Sequence, residues 1–250
     1  MSRLGFTPLL FLVVFAACGG GSPNQSSPSG GIAGNWQMAL SNNPAKMPSG
    51  FLLQAGNSIN GGLLLSGGCS GVGSAQGQLT GSNVSITVSV TGQTLSLTGT
   101  AMPDGSSMSG NYSILDSGCG ASNVGTWTAT RVKALAGSFQ GTFTSTTTNN
   151  LVFHFAGTLT QGPNTGASYA SLSGSMTSTD APCASTVSIS GQISGTSTVL
   201  NLIGSDGTPV GKIDTTVTPD ASSMAGTYAF INTQVPLACG TDFGTVVFAF

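Results

Sequence analysis

Chemistry in this 250-residue chain would have to come from very few side chains: one histidine, five cysteines, seven aspartates with no glutamate, and five lysines and arginines. His154 stands alone and no cysteine spacing is C-x-x-C, so a zinc site has almost no ligands to draw on. Asp116, Asp180, Asp206, Asp214 and Asp242 read as scattered near loops and lack the D-x-D-x-D-G spacing of a calcium loop. Paired-carboxylate chemistry would fall to Asp104 and Asp220. Each sits in a Pro-Asp-Gly/Ala-Ser-Ser element, where aspartate caps a turn through nearby backbone. A serine nucleophile has no G-x-S-x-G element, and its base could only be His154 or a lysine. His154 itself lies inside the apolar run Leu151-Val152-Phe153-His154-Phe155 and reads as a packed core residue. No glycine-rich loop opens a helix to cradle phosphate. The expectation is a protein without catalytic residues, metal or cofactor.

The clearest chemical signal is at the amino end. Arg3 precedes an apolar run over residues 9–17, too short for a permanent span, which needs roughly 20 residues. The run ends in Phe15-Ala16-Ala17-Cys18. This resembles the lipobox of bacterial lipoproteins, with Phe15 where that family usually has leucine. The resemblance implies that residues 1–18 are a signal ending at Cys18, whose thiol is lipidated, with cleavage just before it. Gly19 follows where an aspartate often favours inner-membrane retention, which points to the outer membrane. Residues 19–31, GGGSPNQSSPSGG, have the composition of a flexible tether. The expected partner is thus a membrane, reached through a lipid anchor.

Composition narrows the function classes further. Only 5% of residues are charged, with a net charge of −2, so no basic surface exists to neutralise phosphates and nucleic-acid binding is excluded. At 39% hydrophobic residues the chain is not of the disordered class either.

The rest of the chain is written twice. Met102-Pro103-Asp104-Gly105-Ser106-Ser107-Met108-Ser109-Gly110-Asn111-Tyr112 returns as Thr218-Pro219-Asp220-Ala221-Ser222-Ser223-Met224-Ala225-Gly226-Thr227-Tyr228. Cys69 and a following Gly77-Gln78-Leu79-Thr80-Gly81 return as Cys183 and Gly191-Gln192-Ile193-Ser194-Gly195. The segments from Gly125 to Arg131 and from Gly244 to Phe250 correspond, as do the openings at 32–37 and 135–140. Four matching blocks in the same order define two repeats, 32–133 and 134–250. With Cys18 set aside, each repeat holds two cysteines, and in an exported chain these read as Cys69–Cys119 and Cys183–Cys239.

Each repeat alternates. Val84-Ser85-Ile86-Thr87-Val88-Ser89-Val90 places apolar residues on one face and hydroxyls on the other, Thr91-Gly92-Gln93 turns the chain, and Thr94-Leu95-Ser96-Leu97-Thr98 alternates again. Similar runs at 34–40, 50–55, 59–66, 73–80, 107–114 and 124–131 bring the count to about eight strands per repeat. The expected fold is all-β: two tandem up-and-down antiparallel barrels of about eight strands, with β-sandwiches as the alternative. Gly34-Asn35-Trp36 on the first strand, with Arg131 ending the last, is similar to the pattern of calycins, the lipocalin and avidin barrels. That resemblance implies a barrel-floor pair in which Arg131 packs across Trp36. The second repeat has Phe139 and Phe250 at those positions. The closing Val246, Phe248 and Phe250 also alternate like the last strand of an outer-membrane barrel, but the chain lacks the aromatic girdles, and the pattern reads as a closing strand with its apolar face inward.

Two functional readings follow. The barrels are filled, with bulky inward residues such as Val84, Ile86, Val88 and Val90, and serve a structural or interaction role. Alternatively, they bind a small apolar ligand or a neutral glycan in the interior or mouth.

Overall fold

The computed structural model describes residues 31–42, 47–66, 70–116, 123–148, 150–178, 180–181, 186–231 and 241–250. The signal at 1–18, the tether up to residue 30, the lipidation site Cys18 and the cysteines Cys69, Cys119, Cys183 and Cys239 lie outside the described residues.

Among the described residues, sixteen strands form two closed barrels. The first contains β1 (Gly34–Leu40), β2 (Ser49–Ala55), β3 (Ser58–Leu65), β4 (Gly71–Thr80), β5 (Asn83–Val90), β6 (Gln93–Ala101), β7 (Ser107–Asp116) and β8 (Asn123–Val132). The second contains β9 (Gly137–Ser145), β10 (Val152–Gln161), β11 (Ala170–Thr177), β12 (Thr186–Ser194), β13 (Ser197–Ile203), β14 (Pro209–Val217), β15 (Ser223–Phe230) and β16 (Asp242–Ala249). Within each barrel every strand pairs antiparallel with its chain neighbours, and β1–β8 and β16–β9 close the rings. This is the meander rather than the sandwich. Among the described residues, closure leaves no strand at the edge of a sheet.

Alternation drives the closure. Val84, Ile86 and Val88 are at most 3% exposed, while Ser85, Thr87 and Ser89 between them face solvent. Asp104 and Asp220 cap turns as expected: Asp104 Oδ1 accepts from Ser106 N at 2.9 Å and Ser106 Oγ at 2.7 Å, and Asp220 Oδ1 from Ser222 N at 3.1 Å and Ser222 Oγ at 2.9 Å. Val246 and Phe248 point into the second barrel, fully buried, so the closing strand turns its apolar face inward.

The two interiors are packed differently. The first is built on Trp36, Trp127, Met38 and aliphatic side chains. The second is built on rings: Phe143 lies within 6.0 Å, centroid to centroid, of Phe153, Phe155, Tyr228, Phe230 and Phe248.

Alternation is interrupted on the outer face of β1 and β2, and there the barrels meet. Asn35, Ser49 and Phe51 lie on the outward phase yet are buried. Asn35 grips the β12–β13 turn with both ends of its carboxamide: Nδ2 donates to Gly195 O at 2.8 Å, and Oδ1 accepts from Gly195 N at 2.7 Å. Gly195 has φ +56°, and a Cβ there would lie 2.3 Å from Gln37 Oε1, so turn shape and closeness both call for glycine. Ser49 Oγ and Ser194 Oγ lie 2.9 Å apart, Gln37 Oε1 accepts from Thr196 N at 3.2 Å, and Asn164 Nδ2 donates to Leu52 O at 2.8 Å. Phe51 and Val132, outward residues of the first barrel, belong to the apolar cluster of the second.

Candidate functional site

Among the described residues, the polar chemistry gathers on the second barrel, at and beside the rim formed by the ends of β9 and β15 and the start of β16. Asp242 opens β16 on its inward phase. Its Oδ1 accepts from Ser145 Oγ at 2.5 Å and from Thr147 Oγ1, and its Oδ2 accepts from Tyr228 O–H at 2.7 Å. Burial pushes this carboxyl up, but the donors Ser145, Thr147 and Tyr228 outweigh it and hold the group below the ordinary carboxylate range. Burial, followed by the hydrogen bond and negative charge of Asp242, pushes the Tyr228 phenol well above its usual value. Tyr228 reaches this position because β16 has Gly244 opposite it: a Cβ at Gly244 would lie 2.7 Å from the Tyr228 ring. The three donors tie the carboxylate to the ends of β9 and β15, which makes it a joint between three strand ends.

On the outer wall beside this joint runs a groove of about 350 Å³. Strand register lays it out in rows. Lys212 of β14, Ala229 of β15 and Phe243 of β16 are neighbours across the sheet, and the next row is Asp214, Thr227 and Thr245. The small Ala229 and Thr227 form the floor. Lys212 and Asp214, joined by a 2.9 Å ion pair and each about half exposed, make one wall. Phe243, 46% exposed, makes the other with Thr245, and Thr146 overhangs from the turn after β9, its Oγ1 donating to Phe243 O at 2.9 Å.

The residues singled out by sequence fall elsewhere. His154 is not a core residue. Phe153 and Phe155 point inward and His154 outward, its side chain 62% exposed, because a single polar residue between two apolar ones takes the solvent phase of a strand. Its Nδ1 lies 2.8 Å from Asp180 Oδ2 and its backbone N–H donates to Asp180 Oδ1 at 2.9 Å. Those two bonds, backbone before side chain, with Ser178 Oγ donating at 2.8 Å, hold Asp180 at about 2. Asp214 is likewise not near a loop but in the middle of β14.

Trp36 and Arg131 are direct cross-strand partners in β1 and β8. Trp36 is fully buried and its Nε1–H donates to Ile32 O at 2.8 Å, while Arg131 Nη2 donates to Ala33 O and Nη1 to Gly31 O at 3.3 Å. Both side chains therefore hold the segment that enters the first barrel. Their counterparts Phe139 and Phe250 meet with ring centroids 5.7 Å apart.

No family model and no curated protein sequence matches this chain. Among solved structures, a chain titled "The Structure of Intact Ap-TbpB (N and C lobes)" is similar at a TM-score of 0.28 and 13% identity, with the match covering 86% of this chain and 45% of that one. The present chain thus spans less than half of that protein, and at this TM-score the likeness carries no functional argument. The two closed eight-stranded meanders do fit the barrel architecture implied by the calycin-like pattern.

The groove residues Lys212, Asp214 and Phe243 escaped the sequence reading. The signal that exposes them is a difference between repeats: by register, the first barrel has Ser96, Thr98 and Val124 at these positions.

Proposed function

We propose that this chain is an exported protein held to the cell envelope, on the outer membrane, by a lipid on Cys18, and that its two barrels serve a non-catalytic structural or interaction role. The observation that supports this best is the occupation of both interiors by the protein's own side chains. Trp36, Trp127 and Met38 fill one and Phe143, Phe155 and Phe248 the other, each at most 2% exposed. An eight-stranded barrel so filled is a solid body. The clamp between Asn35 and Gly195 adds a fixed relation between the lobes, suited to holding an outer surface at a distance from an anchor. In the same reading, Cys69–Cys119 and Cys183–Cys239 are disulfides, one in each repeat.

Two measurements test the reading. Growth with labelled palmitate is expected to mark the wild-type chain and not Cys18→Ala; an unlabelled wild-type chain would overturn the anchor. Titration of the purified protein with 1-N-phenylnaphthylamine is expected to show no saturable uptake, and a saturable site would replace the filled barrels with the alternative of an apolar ligand inside.

A further inference from the structure

We infer that the groove between Lys212–Asp214 and Phe243 on the outer wall of the second barrel is a binding site for a neutral saccharide unit. The inference rests on the interaction role proposed above and names the partner's chemistry. At about 350 Å³ the groove falls at the small end of the roughly 300–1,000 Å³ range of small-molecule sites.

Its lining sets the ligand class. The half-exposed Phe243 ring offers an apolar face on which the C–H face of a sugar can lie. The hydroxyls of Thr227 and Thr245 can both donate and accept, as a polyol requires, while Thr146 Oγ1, whose hydrogen goes to Phe243 O, offers an acceptor. Opposite them, the Lys212–Asp214 pair presents a donor and an acceptor side by side, matched to adjacent hydroxyl groups. Among the described residues those two are the only charged groups lining the groove, and they cancel. An anion would meet Asp214 and a cation Lys212, each at a cost that a neutral ligand avoids.

The first barrel supplies an internal control. The same register positions there hold Ser96, Thr98, Asn111, Ser113, Val124 and Thr126, with no ring, no ion pair and no alanine floor. The fold is common to both barrels, so the groove's chemistry is not a by-product of closing a barrel.

The test is calorimetric titration of the full chain, in a detergent without a sugar headgroup, with cellohexaose, chitohexaose, maltohexaose and the anionic hexagalacturonate. At least one neutral hexamer is expected to saturate below about 10 mM. Phe243→Val, which copies the first barrel, is expected to weaken it about tenfold, as is the double change Lys212→Ser with Asp214→Thr. Val124→Ala on the first barrel should leave it unchanged. Circular dichroism confirms that each variant is folded. Saturation by none of the neutral hexamers, tighter binding of hexagalacturonate, or undiminished binding by Phe243→Val would each overturn the inference. Failed titrations would leave the anchor and the filled barrels standing. Failed palmitate labelling would remove the anchor and leave these titrations unaffected.

Discussion

At matching positions of the two barrels stands the same tyrosine over the same glycine, Tyr112 over Gly125 and Tyr228 over Gly244. In the second barrel the phenol donates to Asp242. In the first, the corresponding residue is Asn123, whose Nδ2 donates instead to Asn42 O at 3.3 Å, and the buried Tyr112 hydroxyl finds no hydrogen-bond partner among the described residues. Gln93, also buried in the first barrel, likewise finds none there for either end of its carboxamide. The scaffold has been copied while the polar joints have not. What the two copies share (alternation, capped turns, a glycine under a tyrosine) is what a closed meander needs. What they do not share marks where each copy has a task of its own: an interface on β1 and β2 of the first, a carboxylate joint and groove on the second.

The difference between the cores gives the largest expected effect. Phe143→Ala removes the ring that touches five others, and should cost about 4 kcal/mol, the usual figure for a buried phenylalanine. Both tryptophans of the chain lie in the first barrel, so their fluorescence reports that barrel alone. The variant should therefore lose part of its circular dichroism signal in denaturant before its tryptophan emission changes. Simultaneous loss of both signals would show that the barrels unfold as one unit even when the second core is broken.

Asn35→Ala attacks the coupling itself. It deletes two hydrogen bonds and leaves the N–H and C=O of Gly195 without their partner, at an expected cost of about 2 kcal/mol. The expected readout is a widened gap between the tryptophan and circular dichroism transitions. An unchanged gap would mean that Phe51, Val132 and the hydrogen bonds of Ser49, Gln37 and Asn164 carry the contact without Asn35.

How much of this could be read from the residues depends on whether a feature repeats along the chain. The strand at 84–90 and its neighbours were legible because hydroxyl and apolar residues alternate there without interruption, and closure follows from short connections. Asp104 and Asp220 were legible as caps because their partners lie two residues away. The Asn35 clamp was not, since its partner is 160 residues distant and an asparagine on the solvent phase of a strand looks ordinary. His154 was misjudged because its apolar neighbours were counted and their phase was not. Lys212, Asp214 and Phe243 become visible only when strand register aligns the repeats position by position.

The tyrosine pair allows a direct comparison with one atom removed from each barrel. Tyr228→Phe takes a donor from Asp242 and should destabilise by about 1.5 kcal/mol, as hydrogen bonds to charged groups do. Tyr112→Phe removes a hydroxyl that is buried with no partner among the described residues, so it should be neutral or stabilising by up to about 1 kcal/mol. Equal losses in urea denaturation would mean that Tyr112 is satisfied in solution, and the contrast between the joints would fall.

The smallest effect concerns two outward residues on the second strand of each barrel, Leu53 and His154. Leu53 lies against Gly166 of the other lobe, whereas His154 is turned to solvent and faces Asp180. Because Asp180 is held at about 2 against an ordinary 3.8, its ionised form is favoured in the folded protein. The stabilisation is therefore complete above pH 3.8 and lost as the pH falls toward 2. Both groups are well exposed, so solvent and salt screen most of it and the change in stability should be slight. The carboxyl itself is the better gauge. In His154→Ala the backbone N–H at 154, first among the causes, still donates, while the ring is gone. The Asp180 resonance should then titrate higher than in the wild type but still below 3.8. Asp220, held at about 2 by Thr218 and Ser222 in its own turn, should not move. A full return of Asp180 to 3.8 would show that the imidazole, rather than the fold of β10, holds the carboxylate in place.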